Sequence, residues 1–104
     1  GIPSIYFQQL QKLNLARAWS KVKQATLVLY GEYDWIMNYS DHEMIANLVN
    51  ANDSSLAELI ILENTDHNFH TFDSRQDAFN DYWSGEYNPK NTEIIIDWIR
   101  KQTN

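Results

Sequence analysis

Two periods of apolar residues alternate along this chain. Leu27-Val28-Leu29-Tyr30 is a short continuous apolar run, closed by Gly31 and then by acidic residues. That is how a strand buried on both faces reads when it ends in a loop, and such a strand needs helices on both sides. Ala57 to Leu62 is a second nearly continuous apolar run, broken by Glu58. Between the two, Ser40-Asp41-His42-Glu43 places a glutamate three residues after a serine, the form of a capping box. It precedes Met44, Ile45, Leu48 and Val49 at helical spacing, which predicts a helix from about Asp41 to Ala51, with Asn52 to Ser55 as loop. Strand, helix and strand together predict one right-handed crossover unit of a parallel sheet.

The flanks read as helical. Ser4 is placed to cap a helix carrying Tyr6, Phe7, Leu10 and Leu13 on one stripe, and Asn14 interrupts it. Leu15 to Val22 reads as a second short helical piece with basic residues near its end. Asp73 or Ser74 starts another helix, with Ala78, Phe79, Tyr82 and Trp83 apolar and Gly85 as its C-cap. Glu86 to Pro89 is a turn. The last helix is expected from about Asn91 to Lys101, with Ile94, Ile95, Trp98 and Ile99 inward. The result is a single α/β domain over residues 1–104: a helical lead-in over 1–24, strand-helix-strand over 25–70, and helices over 71–104.

Composition narrows what this domain can be. At 104 residues it is one modest domain, of a size that buries somewhat over ~60% of its unfolded surface. A 43% hydrophobic share with four tryptophans and six tyrosines implies a core rather than disorder. A net charge of -6 argues against non-specific nucleic-acid binding. Without cysteine there is no disulfide framework, thiolate nucleophile or zinc-cysteine site, and the compartment stays open. No apolar run is long enough to span a bilayer, and no charged-then-apolar leader is seen at the N-terminus. The start Gly1-Ile2-Pro3, without methionine, is what a processed or excised segment would show.

In open parallel sheets the chemistry sits beyond the carboxyl ends of the strands, where Asp34, three residues past Gly31, is placed. A parallel crossover sets neighbouring strand ends roughly 5 Å apart, so Asp34 and His67 can meet. An aspartate beside a histidine is the orienting half of a nucleophilic triad: it fixes the imidazole tautomer and supports the imidazolium. The plain alternative is a surface aspartate after a strand and a histidine in a loop. His70 is the alternative base, and His42, in the first turn of a helix, reads as solvated. His67, His70 and Asp73 are types that ligate zinc or iron, but no second cluster accompanies them, and no metal or cofactor is expected. Trp35 is a candidate for a substrate pocket. Tyr82 and Trp83 are expected to pack their helix onto the sheet, and the Phe72 to Tyr87 stretch to shape the rim of the site.

Leu27 to Asp34, a capped helix, and a strand ending Asp66-His67-Asn68-Phe69 before an amphipathic C-terminal helix resemble the C-terminal part of an α/β-hydrolase. In that family the penultimate strand ends in a Gly-x-x-Asp loop bearing the triad acid. The loop after the last strand carries the triad histidine, often with an aromatic shortly after. The resemblance places the acid on Asp34 and the histidine on His67. Ala18-Trp19-Ser20-Lys21-Val22 looks like the short helix that precedes this strand in many members, so the likeness runs from about Leu15 to the end.

The departure from the family is equally clear. Its nucleophile comes first, on a Gly-x-Ser-x-Gly elbow, then acid, then histidine. Gly1, Gly31 and Gly85 are the only glycines here, and no serine has those flanks. The oxyanion-hole loop is missing as well. The resemblance therefore implies a C-terminal fragment of a serine hydrolase for ester, amide or peptide bonds, inactive alone, since losing the nucleophile of such a triad costs on the order of 10⁶-fold. The intact parent would take a small-molecule or peptide substrate. The parent fold would also pair the Leu27 strand with a preceding strand that this chain lacks, so a homodimer through the exposed edge is expected, unless the Ser4 to Leu13 helix covers it. Two other readings stand beside this one: a non-catalytic, hydrolase-derived binding domain, and a small α/β protein with an acidic or metal-binding role. Under the hydrolase reading, changing Asp66 should cost far less turnover than changing Asp34.

Overall fold

The structure, a computed structural model, describes residues 14–103; the helix expected over Ser4 to Leu13 lies outside them. Strand β1 covers Thr26–Gly31 and strand β2 covers Ala57–Leu62. They pair in parallel, in register from Thr26 opposite Ala57 to Gly31 opposite Leu62. Both strands therefore finish at one level, and the loops that follow start side by side. The connecting helix, which we call α2, runs over Tyr39–Asn50, after a short α1 at Leu15–Ser20.

Local chemistry explains the boundaries. Asn14 takes the left-handed conformation at φ 47° and its side chain accepts the Arg17 N–H, so it caps α1. Helix α2 starts two residues before the position that a capping box would require. Asn38 is its N-cap without a side-chain cap bond, and Ser40 lies inside the first turn. His42 Nδ1 bonds the Asn38 carbonyl at 2.8 Å, and its ring packs edge-on against Tyr30 at 4.9 Å, so His42 is half-buried rather than simply solvated. At the far end, Asn50 clamps the start of β2: its amide donates to Ala57 O at 3.0 Å and accepts from Ala57 N at 2.7 Å. In the next loop, the Ser55 N–H and hydroxyl both donate to Asp53 Oδ1 and hold the Asp53 carboxyl below its ordinary pKa.

The core lies between α2 and the sheet, where Val28, Tyr30, Ala46 and Val49 are buried, while Leu62, opposite Gly31 in register, is buried on the alternate face. Leu27 and Leu29, on the alternate face of β1, are only half-buried. Full cover on both faces, expected of this strand, is thus met on one. The thickness of 16 Å fits this, as a helix about 10 Å across on one sheet face nearly fills it.

Beyond β2 the chain forms a small antiparallel pair, β3 at His70–Thr71 and β4 at Glu86–Tyr87. Strands of two residues carry no readable alternation, so Glu86 to Pro89 looked like a plain turn. Helix α3, Arg75–Asn80, starts from Ser74, whose hydroxyl accepts the Asp77 N–H at 3.1 Å. It ends at Asn80, and Tyr82 and Trp83 fall in the turn after it. Trp83 is 87% exposed and does not pack a helix onto the sheet. Gly85 has no positive φ and is not the expected C-cap. It is needed for close approach, since a Cβ there would lie 2.7 Å from His70 Cβ. Helix α4 runs over Pro89–Gln102, two residues earlier than expected, because Pro89 itself takes the first helical position. Ile94, Ile95 and Trp98 are half-buried, whereas Ile99 is exposed. Among the described residues no helix is long and apolar enough to cross a membrane.

The architecture is mixed α/β: two parallel strands in one sheet, with helices beside them.

A candidate acid–histidine site

Gly31 is the residue on which the two strand ends close. A Cβ there would lie 2.5 Å from the Thr65 carbonyl oxygen and 2.6 Å from that of Asp66, both main chain. The contact is latched on either side. Tyr33 N donates to Thr65 O at 2.9 Å, Glu32 N donates to Leu62 O at 2.9 Å, and Asn64 N donates to the Glu32 carboxylate at 3.0 Å. The loop after β1 is therefore bonded, residue by residue, to the loop after β2.

Asp34 follows a turn closed by its own N–H on Gly31 O at 2.9 Å. It is 4% exposed. Its Oδ1 accepts the Ile36 and Met37 N–H groups at 2.8 and 2.9 Å, which leaves Oδ2 to accept from His67 Nδ1 at 2.9 Å. An ionised carboxylate only accepts, so Nδ1 carries the proton in this pairing, and Nε2 of the neutral ring keeps its lone pair. The His67 side chain remains 41% exposed. Acid buried, base open: the pair can take a proton from a group that approaches from solvent, and the carboxylate stabilises the imidazolium that results.

Asp66 shapes the loop that presents His67. Although it is 0% exposed, its Oδ1 accepts the Asn68 and His70 N–H groups, each at 2.9 Å. Its own N–H donates to His70 O at 2.9 Å. Within this ring of bonds Phe69 is held at φ 64°, a conformation costly for a side chain with a Cβ. Asp66 Oδ2 and His70 Nδ1 are buried without a hydrogen-bond partner. The role of Asp66 was missed in the sequence, although an aspartate bonding the N–H two residues on is the signature of an Asx turn.

His70 sits in β3 opposite Tyr87, half-buried, and makes no hydrogen bond to Asp34; of the two candidate bases, His67 meets the acid. Among the described residues no group of three histidine or carboxylate side chains is gathered to hold a metal ion, so His67, His70 and Asp73 do not converge. Trp35 is partly exposed, and its ring meets Phe79 at 5.0 Å and Tyr82 at 5.3 Å, edge to face. The Phe72 to Tyr87 stretch thus reaches the residue next to Asp34, and Tyr82 and Phe79 pack against Trp35 instead of the sheet.

No protein-family model matches the chain, and neither a curated protein nor a solved structure does.

Proposed function

We propose that this chain carries the acid and the base of a serine-hydrolase triad, in an arrangement like the C-terminal part of an α/β-hydrolase, for cleavage of ester, amide or peptide bonds. The observation that carries the reading is the 2.9 Å bond from His67 Nδ1 to a buried Asp34 carboxylate. Its setting supports it, because both groups lie just past the carboxyl ends of adjacent parallel strands, in the order acid then histidine. In this account Asp34 orients the ring and Nε2 takes the proton of an attacking hydroxyl, then returns it to the leaving group. The chain has no Gly-x-Ser-x-Gly. The nucleophile and oxyanion hole must come from outside these residues, and the chain alone is inactive. The outer edge of β1 pairs with no other strand among the described residues, which supports a homodimer of the chain through that edge.

The test is labelling with a fluorophosphonate probe of the polypeptide translated from the complete reading frame. Labelling of a serine upstream of these residues, abolished by His67→Gln, is expected. Labelling that survives His67→Gln, or a folded full-length product that never labels, overturns the proposal.

A second reading, a non-catalytic binding domain derived from such a hydrolase, draws on the exposed rings beside Asp34, above all Trp83.

A further inference from the structure

Four aromatic rings form one continuous ladder on the surface beside Asp34. Phe79 meets Trp35 at 5.0 Å, Trp35 meets Tyr82 at 5.3 Å, and Tyr82 meets Trp83 at 4.5 Å, with interplanar angles of 70°, 65° and 76°. Each contact sets the edge of one ring against the face of its neighbour and fixes the pair. Phe79 is 56% exposed and Trp83 still more so. The four rings line one open cleft together with Asp81 and Ser84. Large aromatic groups gathered at the surface mark a place where something docks.

Charge says what kind of occupant fits. Asp81 and Ser84 also line the adjoining cleft, whose wall carries Asp73, Asp77 and Glu86. The one basic residue between Asp73 and Glu86 is Arg75. It is committed elsewhere, donating to the Glu32 carbonyl oxygen and lying 5.9 Å from the Tyr33 ring centroid. A second copy of this chain, with its net charge of -6, would bring further negative charge to that border, and an anionic lipid surface would be repelled in the same way. A cation is attracted twice: by the carboxylates, and by the face of tryptophan, the strongest of the π-donors.

We propose that the Trp35–Phe79–Tyr82–Trp83 ladder and its acidic border bind a peptide in which arginine or lysine alternates with apolar residues. The cationic heads lie over the exposed Trp83 ring and reach Asp77 and Asp81, and the apolar side chains cover the other rings. Because Trp35, the residue after Asp34, belongs to the ladder, the bound peptide lies beside the acid–histidine pair. The binding stands by itself; its assignment as the substrate of that pair rests on the proposed function above.

The probe is an acetylated, amidated peptide alternating leucine and arginine, titrated against the chain by tryptophan fluorescence and by backbone amide shifts. We expect saturable binding with shifts centred on residues 77–84 and Trp35, weakened by salt and absent for the peptide with glutamate in place of arginine. Trp83→Ala, at a position too exposed to be needed for folding, lowers affinity about tenfold. Asp81→Asn lowers it severalfold, with the circular dichroism of both variants unchanged. Equal binding of the two peptides, no binding, or a self-association in sedimentation that Trp83→Ala abolishes would overturn the proposal. Peptide binding without fluorophosphonate labelling of the full-length product keeps this inference and removes the hydrolase reading; labelling without binding does the reverse.

Discussion

The Asp34 carboxylate and the His67 imidazole, 33 positions apart in the chain, are joined by a 2.9 Å hydrogen bond. Their meeting follows from the flush parallel register of β1 and β2, and from a glycine that lets one strand end touch the main chain after the other.

Gly31→Ala tests that contact. The added methyl would face two carbonyl oxygens rather than a flexible side chain, so the loops must separate. A loss of about 1–3 kcal/mol is expected in urea denaturation, the range for overpacking. A change under about 0.5 kcal/mol, the usual size for neutral surface substitutions, would show that the strand ends are not closed as described.

Asp66→Ala should open the loop that presents His67. Two main-chain N–H groups lose their acceptor, each at a cost of about 1–3 kcal/mol if left unpaired. Amide exchange at Asn68 and His70 is expected to accelerate together, and Asp66→Asn, which keeps an acceptor oxygen, to restore most of the protection. Unchanged exchange in Asp66→Ala would remove Asp66 from this role. Asp66 acts on the geometry of the loop through these bonds, whereas it is Asp34 that bonds the imidazole.

Much of this was legible in the sequence, and the failures have physical causes. The apolar run Ala57–Leu62 coincides with β2, and Leu27–Tyr30 lies inside β1, because buried strands must be continuously apolar. Gly31 and Asp34 could be read because the glycine closes an apolar run and the acid falls just past the carboxyl end of the strand, although the same pair of residue types is common in plain turns. The start of α2 was misread because a serine–glutamate pair marks a helix start only when its N-cap geometry forms, and here Asn38 takes that place. Tyr82 and Trp83 continue the apolar spacing of α3, which predicts packing on the sheet; the helix stops at Asn80 and its rings turn to Trp35. That choice is tertiary and leaves no local trace.

Under the proposed function, Asp34→Asn in the full-length protein should preserve the fold and lower turnover by about 10⁴, the cost of a mis-set tautomer in a comparable triad. Steady-state kinetics with an ester substrate check this. Turnover within about tenfold of the unaltered enzyme would take Asp34 out of the acid role.

Asp53 supplies a pH dependence whose sign can be worked out. Its pKa in the folded chain is lowered, chiefly by the Ser55 backbone N–H and then by the Ser55 hydroxyl. The stabilisation is therefore fully present above the ordinary aspartate pKa and is lost as pH falls through the lowered value. In a carbon-detected titration, Asp53 should titrate below ordinary aspartate, and Ser55→Ala should move it back up. An Asp53 midpoint at or above the ordinary value would contradict the turn geometry.

The central claim is that Asp34 holds the proton of His67 on Nδ1 and leaves Nε2 free as the base. Long-range ¹H–¹⁵N correlation of the ring nitrogens, at a pH where the imidazole is neutral, reads this directly. The account predicts the Nδ1–H tautomer for His67 in this chain, and its loss in Asp34→Ala. An Nε2–H tautomer in the unaltered chain, or an Nδ1–H signal indifferent to Asp34→Ala, would contradict it.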